Sequence, residues 1–242
     1  MNNFIELSEI KKASQLLKGV VIESPFQKIK SYSKKYNSNI FFKREDLQNV
    51  RSFKIRGAFN KISSLTKSQS INGLVCASAG NHAQGFAVSC TNFGYKGRVY
   101  MPKSTPNQKI EKVRKFGKNN IEIILFGENF SQAYKMALKD CHDHNKIFIH
   151  PFDDIKVITG QATLFLEIID QIDNELDYLF IPIGGGGLIS GAINVFKQLS
   201  PQTKIIGIEP KGAPSMFQSL KKNRLVKLDK IDRFVDGIAV KK

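Results

Sequence analysis

The sequence predicts an α/β chain built on mostly parallel sheets. Three observations predict it. Short apolar runs alternate with stretches of helical period. The connections between them are short and marked by Gly, Pro or Asn. The runs are near-continuously apolar, as in strands covered on both faces.

From the N-terminus, Ser8 precedes Glu9 and a helical stretch to Lys18, and Ser24-Pro25 breaks the chain. Ser31–Tyr36 reads as a short helix and Asn39–Lys43 as a short strand. At Phe53 the period turns helical, with Ile55, Ala58, Phe59, Ile62 and Leu65 on one face. Gly73–Ala77 is a strand that runs into Ser78-Ala79-Gly80-Asn81-His82, and a small-residue helix, Ala83–Phe93, follows and stops at Gly94. Arg98–Met101 is a strand stopped by Pro102. Pro106 then opens a helix through Phe116, and Gly117 ends it. Ile121–Phe126 is a strand, Phe130–His144 a helix and Lys146–Ile149 a strand before Pro151. Thr159–Asp170 is a helix. Tyr178–Ile183 is a strand entering four glycines, Leu188–Leu199 a helix and Lys204–Ile208 a last strand. Open parallel sheets bind ligands at the carboxyl ends of their strands, where the loops 78–82 and 184–188 both sit.

With 242 residues, 41% of them hydrophobic, the chain can bury the core of one large domain or two lobes. The formal charge of +16 invites a nucleic-acid partner. The basic residues are scattered, however, with no run longer than Lys-Lys, so no nucleic acid is expected. No apolar stretch is long enough to span a bilayer and the N-terminus lacks an apolar signal core, so a cytoplasmic protein off the membrane is expected. Three widely spaced cysteines, Cys76, Cys90 and Cys141, with no CxxC pair, argue against a disulfide framework or a zinc ribbon.

Three loops carry chemistry. Gly184-Gly185-Gly186-Gly187-Leu188 lies between a buried-type strand and a helix. Glycines there let backbone N–H groups converge on an anion beside a helix N-terminus. The alternative is a tight strand-to-helix turn, for which one glycine would serve. The spacing fits neither GxxxxGK[ST] nor GxGxxG, so the anion is not a P-loop nucleotide or a Rossmann dinucleotide. Lys54 opens an amphipathic helix in Ser52-Phe53-Lys54-Ile55-Arg56-Gly57-Ala58. The helix end and Arg56 are expected to lower its amine pKa and keep it nucleophilic. Among 37 basic residues, a solvated surface lysine is the plainer reading. In the third loop, Ser78 and its neighbouring N–H groups could hold a carboxylate and the Asn81 amide a ring hydroxyl. An Asx-type turn capping the next helix is equally open.

These loops occur within KREDLQNVRSFKIRGAFNKI, ASAGNHAQGFA, MPKSTPNQKIEKVRKFG, PFDD with VITGQAT, and IPIGGGGLISG. With IGIEPKGAPSM and KIDRFVDGIAVKK at the end, the chain resembles the fold-type II pyridoxal-phosphate (PLP) enzymes over its whole length. Within them it looks most like the biosynthetic threonine dehydratases (threonine ammonia-lyases). The resemblance implies a tryptophan-synthase-β-like fold. Residues 1–72 and 151–242 would form a large PLP-binding lobe and 73–150 a small lobe. It implies pyridoxal 5'-phosphate as cofactor, bound through a Schiff base to Lys54. Asn81 would contact the ring hydroxyl, Gly184, Gly185, Gly186, Gly187 and Leu188 the phosphate, and Ser78 with Ala79 the substrate carboxylate. The implied reaction is β-elimination of water from L-threonine to give 2-oxobutanoate and ammonia, the first step of isoleucine biosynthesis, with L-serine as a second substrate. A homo-oligomer is expected.

Ala79 stands where serine racemases of this fold carry a second acid–base serine, which favours elimination over racemisation. A catabolic dehydratase, serine racemase or threonine synthase is the alternative within the fold, and an inactive basic binding module the alternative outside it. No metal site is expected: Glu209 stands at the position of a racemase metal ligand, but Ser215 occupies the place of its acidic partner. The family's catalytic domain continues beyond the segment ending at Val240, so the resemblance implies an incomplete large lobe and an N-terminal fragment. Cys141, His142 and His144 do not converge on a metal from one helix, and His82, His150 and Phe152-Asp153-Asp154 receive no catalytic role.

Overall fold

A computed structural model describes residues 5–242. The chain opens with α1 (Leu7–Leu16), β1 (Phe26–Lys28), α2 (Lys30–Tyr36) and β2 (Phe41–Lys43). Strands β1 and β2 pair antiparallel, with Gln27 opposite Phe42. Neither β1 nor the one-turn α4 described below has the length to carry a hydrophobic period, so periodicity did not reveal them.

Next come α3 (Lys54–Ser63), α4 (Lys67–Ser70), β3 (Leu74–Ala77), α5 (Asn81–Phe93), β4 (Gly97–Met101), α6 (Asn107–Gly117), β5 (Ile121–Leu125), α7 (Phe130–Asp143) and β6 (Ile147–Phe148). The strands form one parallel sheet in the order β5-β4-β3-β6. Its two faces follow the period of two. Leu74, Cys76, Val99 and Met101 pack against Ala83, Phe86, Ala87 and Cys90 of α5 and Ile110 and Val113 of α6. Val75, Ala77 and Tyr100 pack against Ala133 and Ala137 of α7.

The rest comprises α8 (Ile155–Gln171), β7 (Tyr178–Pro182), α9 (Gly187–Leu199), β8 (Lys204–Ile208) and α10 (Ser215–Lys221). Helix α8 begins at Ile155 rather than Thr159 because Asp154 Oδ1 accepts the N–H groups of Lys156 and Val157, at 2.8 and 3.2 Å. Strands β7 and β8 form a separate two-stranded parallel sheet. Ile181 joins Phe165, Ile168, Val195 and Phe196 in a second core between this sheet, α8 and α9.

Helices α3 and α8 cross with their backbones in contact. A Cβ on Gly160 would lie 2.5 Å from the Arg56 carbonyl oxygen and 2.7 Å from Gly57 Cα. A second crossing brings α5 onto the start of α3, where a Cβ on Gly85 would lie 3.1 Å from the Lys54 carbonyl oxygen. The carboxyl ends of β3, β6 and β7 run into residues 78–81, 149–154 and 183–186 respectively. Among the described residues, no helix is long and apolar enough to cross a membrane.

Candidate active site

Lys54 is the first residue of α3. Its Nζ donates to the Pro151 carbonyl oxygen at 2.8 Å and lies 5.4 Å from the Phe53 ring centroid and 5.9 Å from that of Phe152. No carboxylate pairs with it among the described residues. Burial pushes its pKa down to about 8, because an ammonium withdrawn from water loses hydration that one carbonyl does not replace.

The cause differs from the one expected. Arg56 is fully buried and committed elsewhere. Its guanidinium holds Glu45 through Nε and Nη2, both at 2.8 Å, and Glu167 at 2.6 and 3.0 Å. Lys43 closes the network with Glu167 at 2.6 Å. Arg56 therefore anchors α3 to α8 and to the turn at Glu45, and desolvation alone sets the Lys54 amine.

The loop after β3 supplies a second part. Gly80 precedes α5 as its N-cap and no side chain caps the helix, so Asn81 is a helical residue rather than an Asx cap. Ser78 Oγ accepts the Gly80 N–H at 3.2 Å. The N–H groups of Asn81, His82 and Ala83 find no acceptor among the described residues. His82 is buried, and its Nε2–H donates to the Ile149 carbonyl at 3.0 Å. Burial and then the nearby Lys54 charge push its pKa down to about 3.

The glycine loop supplies the third part. The N–H groups of residues 184–189 find no acceptor among the described residues, whereas that of Ser190 reaches the Gly186 carbonyl at 2.9 Å. Six consecutive free donors, two of them on the buried Gly186 and Gly187, ahead of a helix of 13 residues could together receive an anion, as a cradle. The glycine count itself has a packing explanation. A Cβ on Gly185 would lie 2.3 Å from two Phe152 ring carbons, one on Gly187 would lie 2.7 Å from the Phe152 carbonyl oxygen, and Gly186 has φ +86°. The open donors, rather than the number of glycines, mark the cradle.

The three parts converge. Lys54 touches Pro151 and Phe152, Phe152 fills the glycine loop, and α5 packs on the backbone of Lys54. Ser52 Oγ, just before α3, and His82 Nδ1, in the first turn of α5, are buried and find no partner among the described residues. An anion cradle, a desolvated amine and unpaired polar atoms together suit a small phosphorylated molecule with an electrophilic carbon.

The family model for pyridoxal-phosphate dependent enzymes matches residues 17–242. The chain belongs to this family. The family's cofactor is pyridoxal phosphate, and its residues here fit that group by their donors and their amine. The chain is 52% identical, over 241 residues, to the biosynthetic L-threonine dehydratase of Bacillus subtilis, covering 100% of this chain and 57% of that protein. It is 51% identical to the enzyme of the same name from Halalkalibacterium halodurans, covering 98% of this chain and 57% of that one. The chain thus spans little more than half the length of these relatives. Among solved structures, the processed form of threonine deaminase isoform 2 from Solanum lycopersicum matches with TM-score 0.90 and 40% identity, covering 100% of this chain and 71% of that one. Maize serine racemase matches with TM-score 0.91 and 30% identity, covering 97% and 70%.

Pro151 and Phe152 lie in the PFDD segment that carries part of the resemblance, but sequence reasoning gives them no role, because an aromatic after a proline at a strand end carries no period. Glu209 is occupied within the fold: its two oxygens accept the N–H groups of Met216 and Phe217 at 2.8 and 2.7 Å, capping α10. His144 pairs with Asp140 at 2.9 Å on α7. No group of three or more metal-ligating side chains occurs among the described residues.

Proposed function

We propose that this chain carries the pyridoxal-phosphate site of a threonine dehydratase, with Lys54 as the residue that bonds the cofactor. The observation that carries the reading is the state of Lys54. Among 37 basic residues it is an amine with a pKa near 8, no carboxylate partner, and an anion cradle across Phe152 from it.

Gly184, Gly185, Gly186, Gly187 and Leu188 would hold the cofactor phosphate through backbone N–H groups, and Asn81 its ring hydroxyl. Ser78 and the N–H groups from Ala79 onward would hold the substrate carboxylate at the N-terminus of α5. When bound, pyridoxal phosphate supplies an electron sink for negative charge at the substrate α-carbon. Displaced from its bond to the cofactor by the substrate's own amine, the freed Lys54 Nζ would take the α-proton. A base with a value near 8 suits this transfer at neutral pH. Phe53, Phe152 and the buried His82 keep bulk water from the amine. Loss of the β-hydroxyl as water, then hydrolysis of the released product, gives 2-oxobutanoate and ammonia from L-threonine, or pyruvate and ammonia from L-serine. Ala79 offers no proton for the opposite face, which favours elimination over racemisation. The relatives named as biosynthetic L-threonine dehydratases support threonine as substrate and a biosynthetic context, and the resemblance implies isoleucine as the end product. The reading takes residues 73–150 as the small lobe and 1–72 with 151–242 as the large lobe, in a cytoplasmic homo-oligomer.

The test compares the chain with Lys54→Ala after addition of pyridoxal phosphate. The unaltered chain is expected to gain a visible absorbance band and to release 2-oxobutanoate from L-threonine. The variant is expected to show neither, and retention of both by Lys54→Ala overturns the reading.

A further inference from the structure

The tripeptide His150-Pro151-Phe152, just after β6, meets both the Lys54 amine and the glycine loop. We propose that Phe152 is a positioning residue: its ring is the spacer between the Lys54 amine and the glycine loop, and the acceptor nitrogen of His150 holds that ring in place. This rests on the reading of Lys54 and the glycine loop given above.

The geometry is specific. The Phe152 ring packs so close to Gly185 that a Cβ there would lie 2.3 Å from its carbons, and the Phe152 backbone packs against Gly187. Its centroid is 5.9 Å from Lys54 Nζ, and the preceding carbonyl, of Pro151, accepts that amine at 2.8 Å. One residue thus meets both the loop that would bind phosphate and the amine that would bond the cofactor. A close-packed ring transmits its size as distance, because van der Waals contact does not compress.

His150 fixes the backbone beneath that ring. Its Nδ1 accepts the N–H groups of Phe152 at 3.3 Å and Asp153 at 2.7 Å, which requires an unprotonated Nδ1 and places the imidazole proton on Nε2. The imidazole also meets the Phe152 ring edge-on at 4.6 Å, with Phe148 on its other side at 6.0 Å. Asp154, two residues on, caps α8 and pairs with Lys61 of α3 at 2.7 Å, so the segment is pinned at its far end to the helix that carries Lys54.

Two measurements on the full chain test the proposal, the first without cofactor. Labelling of Lys54 with an amine-acylating reagent, followed across pH by peptide mass spectrometry, is expected to titrate near 8 in the unaltered chain. Phe152→Ala is expected to move that midpoint up by about one pH unit or more, toward an ordinary lysine. In the second, visible absorbance on titration with pyridoxal phosphate, Phe152→Ala is expected to weaken binding about tenfold, which is about 1.4 kcal/mol. Phe152→Leu, which keeps apolar bulk, is expected to shift both readouts in the same direction by less. His150→Asn, which offers an acceptor oxygen at the Nδ1 position, is expected to bind within about threefold of the unaltered chain, and His150→Leu to follow Phe152→Ala. Should Phe152→Ala fail to fold, Phe152→Leu decides, and no shift in either readout overturns the proposal. If the unaltered chain gains no visible band, the underlying reading of the site falls and this inference with it. If it gains the band and Phe152→Ala changes neither readout, only this inference falls.

Discussion

Two parallel sheets each deliver a loop to the site, and they are embedded differently. Strand β3 has neighbours on both sides, and all four of its residues are buried. Strand β7 pairs only with β8, and its outer face carries Tyr178 at 51% and Phe180 at 65% exposure, stacked on each other at 6.1 Å. Parallel sheets are ordinarily covered on both faces. The loop after β3 is held by its own sheet, whereas the glycine loop is held by what leans on it. Phe152 packs against Gly185 and Gly187, Ile238 and Val240 against Gly184, and Met216 against Gly186. An active-site loop can be positioned from behind by a finished sheet or from the front by packing partners.

That difference sets an order of sensitivities. The largest effect is expected for Val75→Asp, which places an unpaired charge in the middle of β3. A cost of about 4 kcal/mol or more should leave the chain unfolded by circular dichroism. Acid comes next. His82 is buried and neutral, with its value pushed from 6.5 down to about 3, so its contribution is present in full above 6.5 and lost as pH falls toward 3. The loss is about 1.4 kcal/mol per pH unit in that window. Because His82 ties α5 to Ile149, hydrogen exchange at pH 4.5 should show amides of β3 and β6 losing protection relative to pH 7. Gly160→Ala is expected to cost about 2 kcal/mol in a denaturant melt, since its new Cβ meets backbone of α3 rather than a movable side chain. The smallest effect is expected for Phe180→Asp, within about 0.5 kcal/mol, because the ring buries little in this chain. A large destabilisation there would mean that the outer face of β7 is covered in solution, and the contrast between the sheets would collapse.

Much of this was legible in the sequence. The alternation of strands and helices, the loops at strand carboxyl ends, and Lys54 at the head of a helix all follow from period and punctuation, which are local properties. The helical period alone starts α8 at Thr159, four residues late, because the cap at Asp154 has no apolar period of its own. The four glycines drew attention for one reason and are required for another: Phe152, more than thirty residues earlier, leaves no room for a side chain at 185 or 187.

The sequence by itself determined which residues are available: a lysine opening a helix, a Ser-Ala-Gly-Asn loop and four consecutive glycines. Only the tertiary structure decided what state they are in. Arg56 stands two residues from Lys54, yet it turns into a buried network with Glu45 and Glu167 and leaves the amine alone. The acceptor for Lys54 is Pro151, 97 residues away, and Phe53 and Phe152 flank the amine. Desolvation is a sum over everything that displaces water from a charge. That sum exists only once β6, α3 and α5 have come together.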